Sequence, residues 1–253
     1  MKKLVSLSII FEITRRCNLK CRHCLRGDAE TVTASPDVRN RVARFVNWFF
    51  NKTDVMPFFC FGGGEPMLVA GQIHDMLYLM PREQEVAITT NGRVWSKHID
   101  PLINLLTMNP YRKANIKISN DQFHREEGTI NDKWFTAQEL YSDLIWIDNE
   151  DISSRSIVRQ GKAIDNGIGK RALITGGHFY INVFGDIFDS CNFSYETQRE
   201  ETPLGNISDD FYKLLEIAEQ VGDTEETEEE EEERLNEQLS KQEEELVKLA
   251  SLN

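Results

Sequence analysis

Three of the chain's five cysteines fall within eight residues, Cys17-Asn18-Leu19-Lys20-Cys21-Arg22-His23-Cys24, separated by three and then two residues. Three thiolates are one ligand short of a closed tetrahedral zinc site and one short of filling an ordinary four-iron cluster. They suffice to hold three irons of a [4Fe-4S] cluster and leave the fourth iron open to another ligand. A second segment of interest is Gly62-Gly63-Gly64-Glu65-Pro66, where glycines let the backbone approach a neighbour closely and proline fixes the turn. The remaining cysteines stand apart. Cys60 lies inside an apolar run and reads as a small core residue, and Cys191 reads as a structural thiol. An odd, clustered set of five does not suggest a disulfide framework, and a reducing cytoplasm fits it.

The elements that must position these residues alternate. Residues 5–13 read as a strand running into the cysteines. Ser35-Pro36-Asp37 reads as a helix start, with Val42, Phe45, Val46 and Phe49 at helical spacing behind it. A strand over 55–61 runs into the glycine segment, and a helix over 69–80 carries Ile73, Met76, Leu77 and Met80 on one face. A strand over 85–90 closes on Asn91-Gly92, and a helix over 95–106 contains Pro101. Then come a strand over 114–119, a polar loop to 132, a helix over 136–146 and a fifth strand over 153–158. Strands alternating with helices imply βαβ units and a parallel sheet. About six units fit before residue 190, whereas a full eight-fold barrel needs roughly 250 residues. The expected fold is therefore α/β, a partial (β/α)6 TIM-type barrel over residues 1–175.

A hairpin with strands at 179–183 and 186–188 around Phe184-Gly185, then a helix over 209–221 ended by Gly222, form a small C-terminal cap over residues 176–221. The rest, 222–253, is an acidic tail, helical or disordered, with Leu235, Leu239, Leu246 and Leu249 spaced along it. This tail holds thirteen Asp or Glu against three Lys or Arg, so it carries −10 of the chain's −13 and leaves the body at −3. A nearly neutral body argues against bulk nucleic-acid binding. No apolar run approaches the ~20 residues of a membrane-spanning helix. The Met1-Lys2-Lys3 start reads as the lead-in to a buried strand rather than as a signal peptide.

Cys17-x3-Cys21-x2-Cys24 after a first strand and Gly63-Gly64-Glu65-Pro66 after a second together resemble the radical S-adenosylmethionine (radical SAM) superfamily. The resemblance spans roughly residues 5–158. It implies that Cys17, Cys21 and Cys24 ligate a [4Fe-4S] cluster whose open iron is chelated by S-adenosylmethionine. It also implies that the Gly63 to Pro66 turn contacts the methionyl group, through strand-end carbonyls and Glu65. His23 stands where the family places an aromatic residue near the adenine; a surface histidine on a polar loop is its other reading. Thr89-Thr90-Asn91-Gly92 resembles the family's third-strand ending, and Ser119-Asn120-Asp121 sits where the fourth strand offers polar groups to the cofactor. His124 and Arg125 follow in a loop that could face substrate. Gln160-Gly161-Lys162-Ala163 and the Glu12 to Leu19 lead-in are similar to members with a C-terminal auxiliary-cluster (SPASM or twitch-like) domain, often peptide-modifying enzymes. With only Cys60 and Cys191 left, a second fully cysteine-ligated cluster cannot be built.

The expected activity is reductive cleavage of S-adenosylmethionine to a 5′-deoxyadenosyl radical that abstracts hydrogen from a substrate, a peptide, nucleotide or other small molecule. A flavodoxin- or ferredoxin-type electron donor is the implied partner. The alternative is a non-catalytic zinc- or iron–sulfur-binding interaction protein, using Cys17, Cys21, Cys24 and a histidine, with the tail as a recruiting segment.

Overall fold

Apolar strands separated by one-sided helices must bury both faces of what they build, and the chain does this with a parallel sheet. The computed structural model describes residues 3–108, 113–173 and 176–225. The first expected strand is in fact two, β1 (Lys3–Ser6) and β2 (Ser8–Thr14). Then follow α1 (Pro36–Thr53), β3 (Phe58–Gly63), α2 (Ala70–Leu79), β4 (Val86–Thr90), α3 (Ile99–Met108) and β5 (Ala114–Ser119). The short α4 (Gln122–Glu126) precedes α5 (Asp132–Leu140), β6 (Ile145–Asp148) and α6 (Lys162–Asp165). The C-terminal part holds β7 (Phe179–Ile181), β8 (Asp186–Phe188), α7 (Tyr195–Glu200), β9 (Gly205–Asn206), α8 (Phe211–Val221) and β10 (Asp223–Glu225).

Eight strands form one sheet in the order β6-β5-β4-β3-β2-β7-β8-β9. The pairs from β2 to β6 are parallel, and β7 is also parallel to β2, with Ile10 opposite Tyr180. Six parallel strands therefore make a partial TIM-type sheet that does not close. The sixth lies beside the first strand rather than beside β6. The expected hairpin is present, with Tyr180 opposite Phe188, and it continues the main sheet instead of standing apart from it.

The helix α1 begins where the sequence indicates. Ser35 caps it by accepting from the Val38 N–H, and Val42, Phe45, Val46 and Phe49 are fully buried. These residues join Phe59, Phe61, Ile88, Ile116 and Ile147 from the strands, and Trp134 and Leu214 from other helices, in one core. On the opposite sheet face, Tyr180, Phe188 and Phe193 form a smaller cluster with Ile10 and Cys191.

Three expectations are corrected. Helix 136–146 ends at Leu140, and Trp146 lies in β6, because Ile145 and Ile147 enter the core as a strand pair. The expected strand over 153–158 is a run of turns, with only Val158 bridged to Arg171. The third helix starts at Ile99, which puts Pro101 in the first turn, where its missing N–H costs nothing. Gly222 ends α8 with φ −83°, so it needs no left-handed conformation. A Cβ there would lie 2.7 Å from the backbone Ser6 O as well as 2.5 Å from Leu4 Cδ1, and the backbone approach is what requires glycine. The leucine-spaced part of the tail lies outside the described residues.

Candidate functional site

The cysteine loop leaves the end of β2 and is tied at its neck, where Arg15 N–H donates to Val32 O at 2.9 Å and Glu30 N–H donates to Arg15 O at 3.0 Å. Within it, Cys24 N–H donates to Cys21 O at 3.1 Å. Its far end is clamped from two sides by Lys162 N–H to Cys24 O, 3.0 Å, and Tyr195 N–H to Arg26 O, 2.9 Å. Gly161 has φ +52° and lies so close that a Cβ would be 2.5 Å from both Gly27 N and Leu25 O. The Gly161 to Ala163 segment thus closes directly on the cysteine loop.

The glycines serve the same loop. Gly64 N–H donates to Thr14 O and Glu65 N–H to Arg16 O, both at 2.7 Å. A Cβ on Gly63 would meet Thr14 O at 2.2 Å, and one on Gly64 would meet Arg16 O at 2.3 Å. The residues therefore bring the end of β3 against the root of the cysteine loop. Cys17, Cys21, Cys24, Gly63 and Gly64 line a common pocket, with Arg15, Lys20, Arg26 and Lys162 also in its wall; no carboxylate is among its lining residues.

Burial pushes the Cys21 thiol up to about 12, helped by Cys24 and Cys17, and burial also raises Cys17. Such thiols become thiolates readily only when a metal takes the proton's place. They are not gathered to grip one ion, however. In a tetrahedral zinc site sulfurs stand about 3.8 Å apart. Among the described residues, the trio of donor atoms within 4.8 Å of one another is His23, Asp121 and His124, not the thiols. A wider spread beside a positive wall suits a cluster of thiolate-held irons. The residues fit a [4Fe-4S] group.

Around this pocket, Glu65 is fully buried and already engaged. Its carboxylate accepts from Thr90 Oγ1 at 2.6 Å, Asn91 N at 2.7 Å and Met67 N at 2.9 Å, joining the ends of β3 and β4. Burial raises its pKa against these donors. Pro66 opens the 3-10 turn Pro66–Val69 behind it. Asn91 Nδ2 lies 3.0 Å from Asn18 Oδ1 and 3.9 Å from Cys17 Sγ, so the third strand end does touch the cysteine loop.

Ser119 ends β5, half-buried and outside the pocket wall. Asp121 caps α4 through Oδ1, and its Oδ2 meets His124 Nδ1 at 2.6 Å. Those bonds from His124 outweigh burial and lower the Asp121 pKa. His23 stacks on Phe123 with ring centres 4.5 Å apart, and burial lowers its pKa despite Asp121 at 4.0 Å. Arg125 is turned away to Asp151.

A buried polar network beneath the loop is absent from the sequence reading. The Arg15 side chain is 1 % exposed and donates to Glu12 at 2.7 Å, Glu30 at 3.2 Å and Gln198 at 2.6 Å. Glu12 also accepts from Tyr180 Oη and from Gln198 Nε2. The one local signal is a charged Glu12 at an inward position of an apolar strand; Gln198 comes from α7 and gives none. Cys60 and Cys191 do not line the cysteine pocket. Burial raises Cys60 to about 11, whereas for Cys191 burial is outweighed by the hydrogen bond from His178 and its pKa falls.

Residues 11–133 match the family model described as the Radical SAM superfamily. The match spans just under half of the chain, and proteins of that superfamily work with a [4Fe-4S] cluster, S-adenosylmethionine and a reductant. No curated protein matches the chain. Among solved structures, anSMEcpe with bound AdoMet and Kp18Cys peptide is similar over 84% of this chain and 80% of its own, at 14% identity and TM-score 0.51. The complex of anSMEcpe with AdoMet and Cp18Cys peptide gives 13% identity and TM-score 0.50, covering 83% of this chain and 80% of that one. SuiB of Streptococcus suis, bound to precursor peptide SuiA, gives 14% and 0.50 over 84% of this chain and 64% of its own. At these identities the likeness speaks for the fold. No helix among the described residues is long and apolar enough to cross a membrane.

Proposed function

We propose that this protein is a radical SAM enzyme of the reducing cytoplasm, with Cys17, Cys21 and Cys24 as the ligands of its cluster. The observation that carries this reading is the shared pocket of three spread thiols and the Gly63-Gly64 turn, walled by four cations and no carboxylate. Bound together, cluster and S-adenosylmethionine supply reductive cleavage to methionine and a 5′-deoxyadenosyl radical, which takes a hydrogen atom from the substrate. The chain's own residues bind and orient. Gly63, Gly64 and Pro66 present backbone to S-adenosylmethionine, with Asn91, Ser119, Asp121 and His23 as its polar surround. Glu65 acts by holding two strand ends together, since three internal donors occupy its carboxylate. Of the cations in the wall, Arg15 is already paired with Glu12 and Glu30 and Lys162 with Asp28, so Lys20 and Arg26 are left to offset the negative charge that three thiolates bring into a poorly solvated wall.

In this reading residues 1–175 together with strand β7 form the catalytic unit, the rest of 176–221 is its cap and 222–253 an acidic appendage. A low-potential carrier of the flavodoxin or ferredoxin type supplies the electron. A peptide is the favoured substrate by analogy with solved relatives whose complexes contain peptides. Anaerobic reconstitution followed by iron and sulfide analysis, then assay for 5′-deoxyadenosine with dithionite, tests the assignment. About four irons and measurable deoxyadenosine are expected. About one zinc and no absorbance near 400 nm would instead establish the binding-protein alternative.

A further inference from the structure

We propose that the outer face of the cysteine loop is the docking surface for a small, acidic, one-electron carrier protein. The proposal rests on the reading above that this loop holds the redox cluster.

Between Ile13 and Gly27 the chain has five Lys or Arg and no Asp or Glu, within a protein of net charge −13. The structure divides these cations by role. Arg15 is turned inward to Glu12, Glu30 and Gln198. Arg26 donates to Phe193 O at 2.6 Å and lies 4.7 Å over the Tyr180 ring. Arg16, Lys20 and Arg22 are exposed, Arg22 with its guanidinium 5.2 Å over the Phe123 ring. Lys20 and Lys162 reach the wall of the cysteine pocket itself, and Cys17 and Cys24, in the same wall, are only half-buried.

Carboxylates at the rim do not cancel the patch. Arg22 meets Glu126 at 2.8 Å, but the two side chains are 53% and 47% exposed. Lys162 meets Asp28 at 2.7 Å, and Asp28 is 91% exposed. Exposed pairs of this kind are worth about 0–1 kcal/mol, so an incoming acidic surface can exchange with them. Glu127 is engaged by the Lys20 backbone N–H at 3.1 Å. Among the described residues, Arg16 and Lys20 have no carboxylate within 4 Å of their charged groups.

The rest of the molecule sharpens the effect. Outside residues 222–253 the chain carries only −3, so an acidic partner is drawn to the body where cations stand forward. The patch therefore sets orientation as well as attraction, and it turns the carrier toward the thiols. Such rim charges act mainly on association rate and its salt dependence.

The test uses the reconstituted holoenzyme and compares two reductants, flavodoxin kept reduced by its reductase, and dithionite. The variant is the double charge reversal Arg16→Glu/Arg22→Glu, which leaves the pocket wall untouched. At low ionic strength its flavodoxin-driven deoxyadenosine formation is expected to fall about 10-fold or more, with the dithionite-driven rate within about 2-fold of wild type. Arg16→Lys/Arg22→Lys should retain the flavodoxin rate. In the wild type, raising salt from about 20 to 500 mM should slow only the flavodoxin-driven reaction. An unchanged flavodoxin rate in the reversal variant overturns the proposal. So does a flat salt response of the wild type, which decides the matter should the variant fail to take up iron. Wild-type silence with dithionite would strike the enzyme reading instead.

Discussion

At Gly64 the absence of one carbon decides where the cysteines go. A methyl group there would sit 2.3 Å from Arg16 O, one residue before Cys17. Gly64→Ala should therefore displace the loop and reduce bound iron after reconstitution to less than half the wild-type value, read as iron per chain and visible absorbance. Cys17→Ser, Cys21→Ser and Cys24→Ser should each abolish the intact four-iron cluster, whereas Cys60→Ser and Cys191→Ser should keep it, because neither lines the pocket. For Glu65→Gln the expected loss is about 1–3 kcal/mol in denaturant unfolding, since an amide cannot accept from all three of its donors. The cysteine and glycine spacings were readable because their chemistry is local. The engagement of Glu65 was not, because Thr90 and Asn91 lie on the next strand and nothing in the motif names them.

The elements repeat this contrast between local and distant signals. Helix α1 was legible throughout: a capping serine, a proline in its first turn and an apolar face that is buried residue for residue. Ser35→Ala should lower stability by about 1 kcal/mol, visible as a few degrees in Tm, because the Val38 N–H loses its acceptor. The α5 to β6 stretch misled because Leu140 to Ile147 is apolar enough for either period. What decides is the neighbouring strand: Ile116 N–H donates to Leu144 O at 2.7 Å, which draws the segment into the sheet. Likewise the approach of Gly222 to Leu4 depends on a partner at the other end of the chain.

For the whole molecule, the α/β class and an open parallel arrangement followed from the alternation of elements. The placement of β7 beside β2 did not, since strand order is set by long-range packing rather than by any local pattern. Phe45 shows what holds this arrangement: its ring lies 5.5 Å from Phe179 on β7 and 5.7 Å from Phe211 on α8. Phe45→Ala should therefore loosen the packing of α1 on β7 and α8 and cost about 3–5 kcal/mol, measured by denaturant unfolding with β7 and α8 losing hydrogen-exchange protection together.

The small ribbon formed by β1 and β10 sets a temporal order on the making of this protein. Its strands pair antiparallel, Leu4 against Thr224, and Ser6 Oγ bonds Asp223 across 217 residues of sequence. At translation speeds of roughly 5–20 residues per second, the first strand waits about ten seconds or more for its partner to be synthesised. Its backbone groups stay unpaired on that side while the parallel sheet assembles next to it. The ribbon is thus a late seal, closed only after translation has passed α8. A nascent chain stalled before residue 223 would carry the cysteine loop but expose a free strand edge, the kind of surface that chaperones hold and that aggregation exploits.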